Sequence, residues 1–545
     1  MATFTVTTLL DSDPDNSELT LREAIEMMDT TAGGDRIEFA DGLSGTIVLE
    51  QGSLELMASG YNVIDGDIDN DGISDITISG GGTTGVFTAM SGRYTLQDLM
   101  ITDGMAESGA GIWVGEDAFV RLLRTSVTDS EATGEAATMG GGGIYSAGEI
   151  ELIRAEVSGN TATAGAGSGG NIFAAAGDAY IGWSTISEGE AARAGGGIEV
   201  GTGTVTIENS RIVDNTTGAA PGNGGGLHVT GPATVDISNS LISGNVASSE
   251  GGGLWNNAGS TMTVTGSVVS LNDANGDAAD NGGGGIFNNG GTLVVEDSSV
   301  NRNTANGEAG SGGNIFSTAG MVSISDTMIS GGTASRAGGG VEIIDGDMTI
   351  DGSTLTNNRT GAAPGNGGAL HVTGTNGTNV TVSDSMVTNN WAASEGGGLW
   401  NNVGSTLTVM DSVISGNAAR GAGADNGGGG LFNNGGTMVL SDVDVTDNRA
   451  SGASGSGGGL LTTDGMVTIT DSTFDMNTAS RAGGGIEIID GDLDIADSAL
   501  TNNRTASAPG NGGALHVTGM NGTTVDITGT MVTGSLRPPG EPCFR

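Results

Sequence analysis

The phrase "DGDIDNDGISD", Asp65 to Asp75, is the part of this chain whose residue types and spacing most directly suggest chemistry. Asp67, Asp69 and Asp71 alternate, Gly72 follows them, and Asp75 stands four residues beyond Asp71. Alternate carboxylates on a tight loop bring hard oxygens to one point, which is what calcium requires. Counted from Asp67, position 12 of such a loop is Ile78, so a bidentate carboxylate is missing there. The reading is a structural Ca2+ site at Asp67, Asp69, Asp71 and Asp75, of weak affinity. An acidic surface loop without an ion is the alternative.

A second set recurs at long spacing. "EGGGLWNN" stands at Glu250 to Asn257 and again at Glu395 to Asn402, in a chain with only five tryptophans. The residue after each Gly-Gly-x-apolar phrase forms a series: Phe173, Glu199, His228, Trp255, Phe287, then Phe316, Glu342, His371, Trp400, Phe432. Preceding an inward aliphatic on an extended strand, or following it, places a side chain on the opposite face. An outer column of aromatics with Glu and His could stack on and hydrogen-bond to a sugar chain. Trp255, Trp400, His228, His371, Glu199, Glu342, Phe287 and Phe432 are therefore candidate glycan contacts. Loops folding over these rings as a satellite core are the other reading, and the preferred one, because exposed aromatic stripes are costly. Glu199 with His228 could also act as an acid–base pair. The pair recurs as Glu342/His371 and Glu487/His516, whereas an active site is normally singular. No catalytic residue is assigned, and the reading leans away from an enzyme.

These residues need elements to position them, and a repeat supplies those elements. The inward apolar residue after the glycines falls at Ile144, Ile172, Ile198, Leu227, Leu254 and Ile286 and continues to Leu515, at intervals of 26 to 32 residues. Within an interval lie strictly alternating runs such as "TVTIEN" (Thr204 to Asn209) and short apolar-x-x-Asn runs such as "ISGN" (Ile242 to Asn245). Period-two alternation bounded by Gly, Asn and Asp marks strands and turns, and glycine at this density disfavours helices. About three short strands per coil predict an all-β parallel β-solenoid. The asparagines at 160, 215, 245, 272, 303, 358, 390, 417, 448, 477 and 503 predict a stacked amide ladder, broken at Gly189 and Gly332.

His228, His371 and His516 are 143 and 145 residues apart, and Arg193, Arg336 and Arg481 repeat the same intervals. A five-coil block is thus repeated at 168–310, 311–455 and, in part, 456–534. Residues 1–60 are expected to form a cap with first strands, residues 61–534 the solenoid, and 535–545 a non-repeat tail. "SELTLREAIEMMDT", Ser17 to Thr30, has helical apolar spacing and predicts a capping helix over about 17–30, with Ser17 as its cap.

Composition bounds the partners. The chain has 545 residues, 104 of them glycine, and 64 acidic against 17 basic residues, for a net charge of −47. Such a surface repels nucleic acid and favours cations. One cysteine, Cys543, allows no internal disulfide, and no apolar stretch reaches the length of a transmembrane segment. The N-terminus lacks the basic and apolar regions of a cleavable signal peptide.

On these motifs the chain resembles the pectate-lyase-like right-handed parallel β-helix superfamily. "TLREAI" (Thr20 to Ile25) with "DRIEFADGLSGTIVLEQGSLEL" (Asp35 to Leu56) is similar to the N-terminal module of large bacterial secreted and surface β-helix proteins. The GGxI and xxxN phrases resemble the repeats of chlamydial polymorphic outer-membrane proteins, whose Phe-x-x-Asn survives here in "FDMN", Phe474 to Asn477. The resemblance implies a single-stranded right-handed β-helix and an extracellular or cell-surface protein: an adhesin, surface or matrix component with a polysaccharide or cell-surface ligand. A polysaccharide lyase or glycoside hydrolase on the same scaffold is the alternative, since such folds carry many activities. Ligand, secretion route and oligomeric state stay open at this level.

Overall fold

The computed structural model describes residues 2–12, 18–219, 221–362, 364–374, 376–506, 510–519 and 522–536. Ser17 and Cys543 lie outside them, as does the tail beyond Leu536. The fold is an all-β, right-handed parallel β-solenoid of about 18 turns with one helix. Two compact units divide the chain, Met1–Val268 and Val269–Arg545.

One coil of the first unit shows the plan. A three-residue strand, Leu227–Val229, precedes the alternating strand Ala233–Ser238, and Leu241–Ser243 completes the expected three. A two-residue pairing, Val246–Ala247, adds a fourth side that period-two reading is too coarse to detect. Each strand pairs in parallel with its counterpart one coil earlier, in the register Leu227↔Ile198, Ile237↔Ile207 and Ile242↔Ile212. Inward Val205, Ile207, Val235 and Ile237 are buried while Thr206 and Asp236 between them face outward. In the second unit Ile350, Val382, Val409, Leu440, Ile469 and Ile495 stack in the same way.

Two polar ladders hold the corners. At one, a residue in the left-handed region (Asn209, φ 51°; Asn239, φ 48°) is followed by a serine. The Ser184 N–H donates to Ser210 Oγ, Ser210 N–H to Ser240 Oγ, and Ser240 N–H to Ser267 Oγ, each at 3.0 Å. At the other, the expected asparagine column forms: Asn215 Nδ2 donates to Asn245 Oδ1 at 2.9 Å, and within the second unit Asn358, Asn390, Asn417 and Asn448 form a chain of the same bonds. The expected break at Gly189 does not occur. Asn171, in the glycine segment just before the strand Ile172–Ala174 of the same coil, accepts from Asn160 Nδ2 at 2.9 Å and donates to Asn215 Oδ1 at 3.0 Å. Asn314 bridges Asn303 and Asn358 past Gly332 in the same manner. These buried amides would otherwise stay unpaired, at a cost of about 1–3 kcal/mol each.

The capping helix spans Leu21–Thr30, not 17–30. Thr20 is its N-cap: the Glu23 N–H donates to Thr20 Oγ1 at 3.2 Å and the Thr20 N–H donates to Glu23 Oε2 at 3.0 Å. This reciprocal capping box fixes the start. Leu19 stays extended, its N–H donating to Thr7 Oγ1. Leu21, Ala24, Ile25 and Met28 turn inward over the first coil. At the other end pairing runs two residues past Gly534, because Ser535 Oγ accepts from the Asn503 N–H and Leu536 bridges to Arg504.

Candidate functional site

The column expected to face solvent is covered. Glu199 and Glu342 are fully buried, Trp255 and Trp400 are each 6% exposed, and Phe287 and Phe432 are 1% exposed. His228 and His371 are buried as well. All three residues of a first strand such as Ile198–Val200 are buried, because the core lies on one side and the preceding glycine segment on the other. At Gly224 (φ +61°) a Cβ would stand 2.6 Å from His228 Cβ, and at Gly396 (φ +62°) 2.9 Å from Trp400 Cβ. Only glycine adopts this turn and approaches so closely. The exposed aromatic track is therefore corrected to a loop-covered satellite core; a ring so enclosed offers no face to a sugar.

Inside that core the polar members form a repeated network. In the first block His228 Nδ1 lies 3.0 Å from Glu199 Oε2, and Arg193 Nη2 donates to Glu199 Oε1 at 3.1 Å. Thr230 Oγ1 also donates to that carboxylate. In the second block Arg336, His371 and Thr373 surround Glu342 at 3.0, 3.1 and 2.7 Å. Arg481, His516 and Thr518 surround Glu487 in the third. Burial works against the Glu199 and Glu342 carboxylates, but the histidine, arginine and threonine outweigh it and hold both below the ordinary glutamate pKa. The first two networks are roofed by an aromatic ring: His228 stacks on Trp255 at 4.3 Å and His371 on Trp400 at 4.2 Å. The tryptophans are tied in turn, Trp255 Nε1 donating to Glu250 and Trp400 Nε1 to Glu395. Glu199 has both carboxylate oxygens bonded, whereas the partners of Glu342 and Glu487 all meet Oε1 and the buried Oε2 of each meets none among the described residues.

Residues 62–269 match the right handed beta helix region family. No curated protein sequence matches the chain. The matched stretch includes both the aspartate loop and the first buried network. No helix among the described residues is long and apolar enough to cross a membrane.

Three of the four aspartates converge. One carboxylate oxygen each from Asp67, Asp69 and Asp71 lies within 4.8 Å of the others. Asp75 does not join them, because its Oδ2 accepts the Ile68 N–H at 2.9 Å and pins the loop's base. Asp67 is itself engaged, accepting from the Asp71 and Gly72 amides at 3.1 and 2.9 Å. The donor set is all hard oxygen and fits calcium, with Asp69 and Asp71 exposed.

On the outer face of the alternating strands in the first unit Tyr61, Phe119 and Tyr180 meet solvent, and Trp183, 54% exposed, meets it at the corner after Ala179–Gly182. Tyr61 is 71% exposed, and Arg93 lies over Tyr61 and Phe119 at 5.2 and 4.2 Å. Phe119 and Tyr180 border a groove of about 310 Å³ with Glu149, Glu151 and Asp178. Arg121 pairs with Glu151 at 2.7 Å, and the Tyr180 hydroxyl donates to Glu208 at 3.1 Å. The signal for this face was period two itself: in "AFVRLL" and "AYIG" the aromatic residue occupies an outward position. In the second unit Asp494 and Asp526 are direct partners on adjacent coils, both exposed.

Proposed function

We propose that the protein is a non-enzymatic β-helix of the cell surface or extracellular matrix, an adhesive component that contacts glycans through the Tyr61–Phe119–Tyr180 face. The observation that carries this reading is the groove in which two partly exposed rings stand beside carboxylates on one rigid sheet. Rings and fixed polar groups on strands suit binding to a sugar's apolar face and hydroxyls. The likeness of Thr20 to Ile25 to modules of secreted bacterial proteins and the strongly acidic surface support the location. On a glycan array, Phe119→Ala and Tyr180→Ala are each expected to weaken binding about tenfold, one ring contact's worth. Trp255→Phe should leave it unchanged. Binding indifferent to Phe119 and Tyr180 would overturn the assignment of this face. Lyase or hydrolase activity is the second reading, drawing on the paired Asp494 and Asp526; new reducing ends or unsaturated sugars released from a bound polysaccharide would favour it.

Calcium at Asp67, Asp69 and Asp71 belongs to the same proposal, as a structural ion that stiffens the loop between the strands Tyr61–Asp65 and Ile76–Ser79. The double variant Asp69→Asn/Asp71→Asn should lower the melting temperature in calcium and leave it nearly unchanged in EDTA. Equal shifts in both conditions would remove the ion from the account.

A further inference from the structure

The block repeat makes its own departures visible, and the largest cluster of them falls at one place. In the first block the two-residue strand Thr216–Thr217 pairs with Val246–Ala247, with Asp214 two residues before Thr216. The equivalent positions in the second block are Arg359 for Thr216, Trp391 for Val246, Asn357 for Asp214 and Arg420 for Asn275. Two of these changes add a positive charge and one removes a negative charge, in a chain of net charge −47. Elsewhere the blocks keep even their buried networks in copy; the third block repeats Asn357 and Arg359 as Asn502 and Arg504 but has Leu536 where Trp391 stands.

Geometry joins the four changes. Arg359 and Trp391 are lateral partners, and the guanidinium carbons of Arg359 and Arg420 lie 5.0 and 5.1 Å from the centre of the Trp391 ring. Both distances are within cation–π range, about 6 Å. Asn357, Asn358, Arg359, Asn389, Trp391 and Arg420 line a shallow groove of about 280 Å³. Two other arginines of this unit are neutralised, Arg336 by Glu342 and Arg481 by Glu487. Among the described residues no carboxylate pairs with Arg359 or Arg420. The Trp391 indole N–H is buried and likewise meets no acceptor there. Two guanidinium groups on one ring repel each other, and each of the three side chains offers donors only.

We propose that this groove is an oxyanion-binding site, with Arg359 and Arg420 as its charged donors and Trp391 as the platform that holds them. The ligand is a sulfate, phosphate or carboxylate group, free or carried on a polymer, because only an anion supplies both the acceptors and the counter-charge the site lacks. Guanidinium forks match such groups with paired hydrogen bonds. This site goes beyond the glycan face proposed above, on a different sheet and with opposite charge.

The test is calorimetric titration of the full chain at constant ionic strength with sodium sulfate, dextran sulfate and uncharged dextran. Saturable binding of sulfate or dextran sulfate, and none of dextran, is expected. Similar affinity per sulfate for the two anions identifies a free ion as ligand; much tighter dextran sulfate identifies a polymer-borne group. Arg359→Thr with Arg420→Asn restores residues the first block already folds with, so its melting curve should match the parent. Its affinity should fall at least about tenfold, the loss of one or more charge-assisted bonds. Trp391→Phe should remove the fluorescence change on binding while retaining most of the affinity, which places the ligand even if the double variant folds poorly. No saturable binding of either anion, or the same affinity in the Arg359→Thr/Arg420→Asn chain, would overturn the proposal.

Discussion

Replacing Asn171 with glycine is expected to lower stability by about 3–5 kcal/mol, and adding Gly189→Asn to the same chain should return most of it. Asn171 makes four bonds in the buried ladder. It accepts from the Asn160 N–H at 3.3 Å and from Asn160 Nδ2 at 2.9 Å, and it donates to Ser187 O at 2.8 Å and Asn215 Oδ1 at 3.0 Å. Deleting it strands those partners and leaves a void. Gly189→Asn alone should also destabilise, since a Cβ there would lie 2.3 Å from Gly196 O and 2.5 Å from Asn171 Nδ2, and in the double variant the backbone at Gly196 must still give way. The exchange works because the chain has already made it once. In the third block the two positions read Gly459 and Asn477, and Asn477 accepts from Asn448 and donates to Asn503 at 3.1 and 3.0 Å. Denaturant titration of the two single variants and the double variant measures the coupling directly. Additive losses would mean that the two side chains do not share one slot.

The second large effect is at Glu342. Glu342→Gln should cost about 3 kcal/mol at pH 7, the lower end for breaking a buried ion pair, because Arg336 keeps 17% of its side chain in water. The pH dependence follows from the direction of the shift. Glu342 is held below the ordinary glutamate value when folded, so its contribution is complete above the unfolded titration, about pH 4.3, and is lost as pH falls through the lower folded value. The stability difference between parent and Glu342→Gln should thus shrink as pH falls below about 4. A difference that instead grew below about pH 4 would reverse the assigned direction.

Most of the fold was legible because a solenoid writes its geometry in period two and in a fixed coil spacing. Ile207 and Thr206, inward and outward, follow from alternation alone. What the sequence could not reveal was cover. An outward Trp255 reads the same whether or not Gly251 and its neighbours fold back across it, and only the positive φ of those glycines and their close approach settles the matter. The ladder break at Gly189 misled for a related reason: its replacement, Asn171, is in the glycine segment on another side of the same coil, and its only mark is "SGGN" where other coils read "GGG". The hydroxyl ladder through Ser210 and Ser240 left a plainer trace, a serine after each corner asparagine or aspartate, but its bonds run between coils where local pattern does not reach. Asp75 shows the limit at a site: its spacing suits a ligand, yet its carboxylate is spent on the loop's own backbone.

The repeated blocks also set a problem in folding kinetics. Asn358 natively bonds to Asn390, 32 residues away, but a nearly identical surface recurs one block further along, at 145 residues. A coil that docked on the wrong block would satisfy much the same contacts, so contact energy discriminates poorly between native and shifted arrangements. Chain entropy does discriminate: closing a loop of one block rather than one coil costs about 1.4 kcal/mol more, close to a tenfold difference in population at each encounter. Sequential winding enlarges that margin, because a coil that forms as the chain emerges finds only its predecessor in place. A chain refolding from full denaturation has no such order, and should populate block-shifted traps that its synthesis avoids.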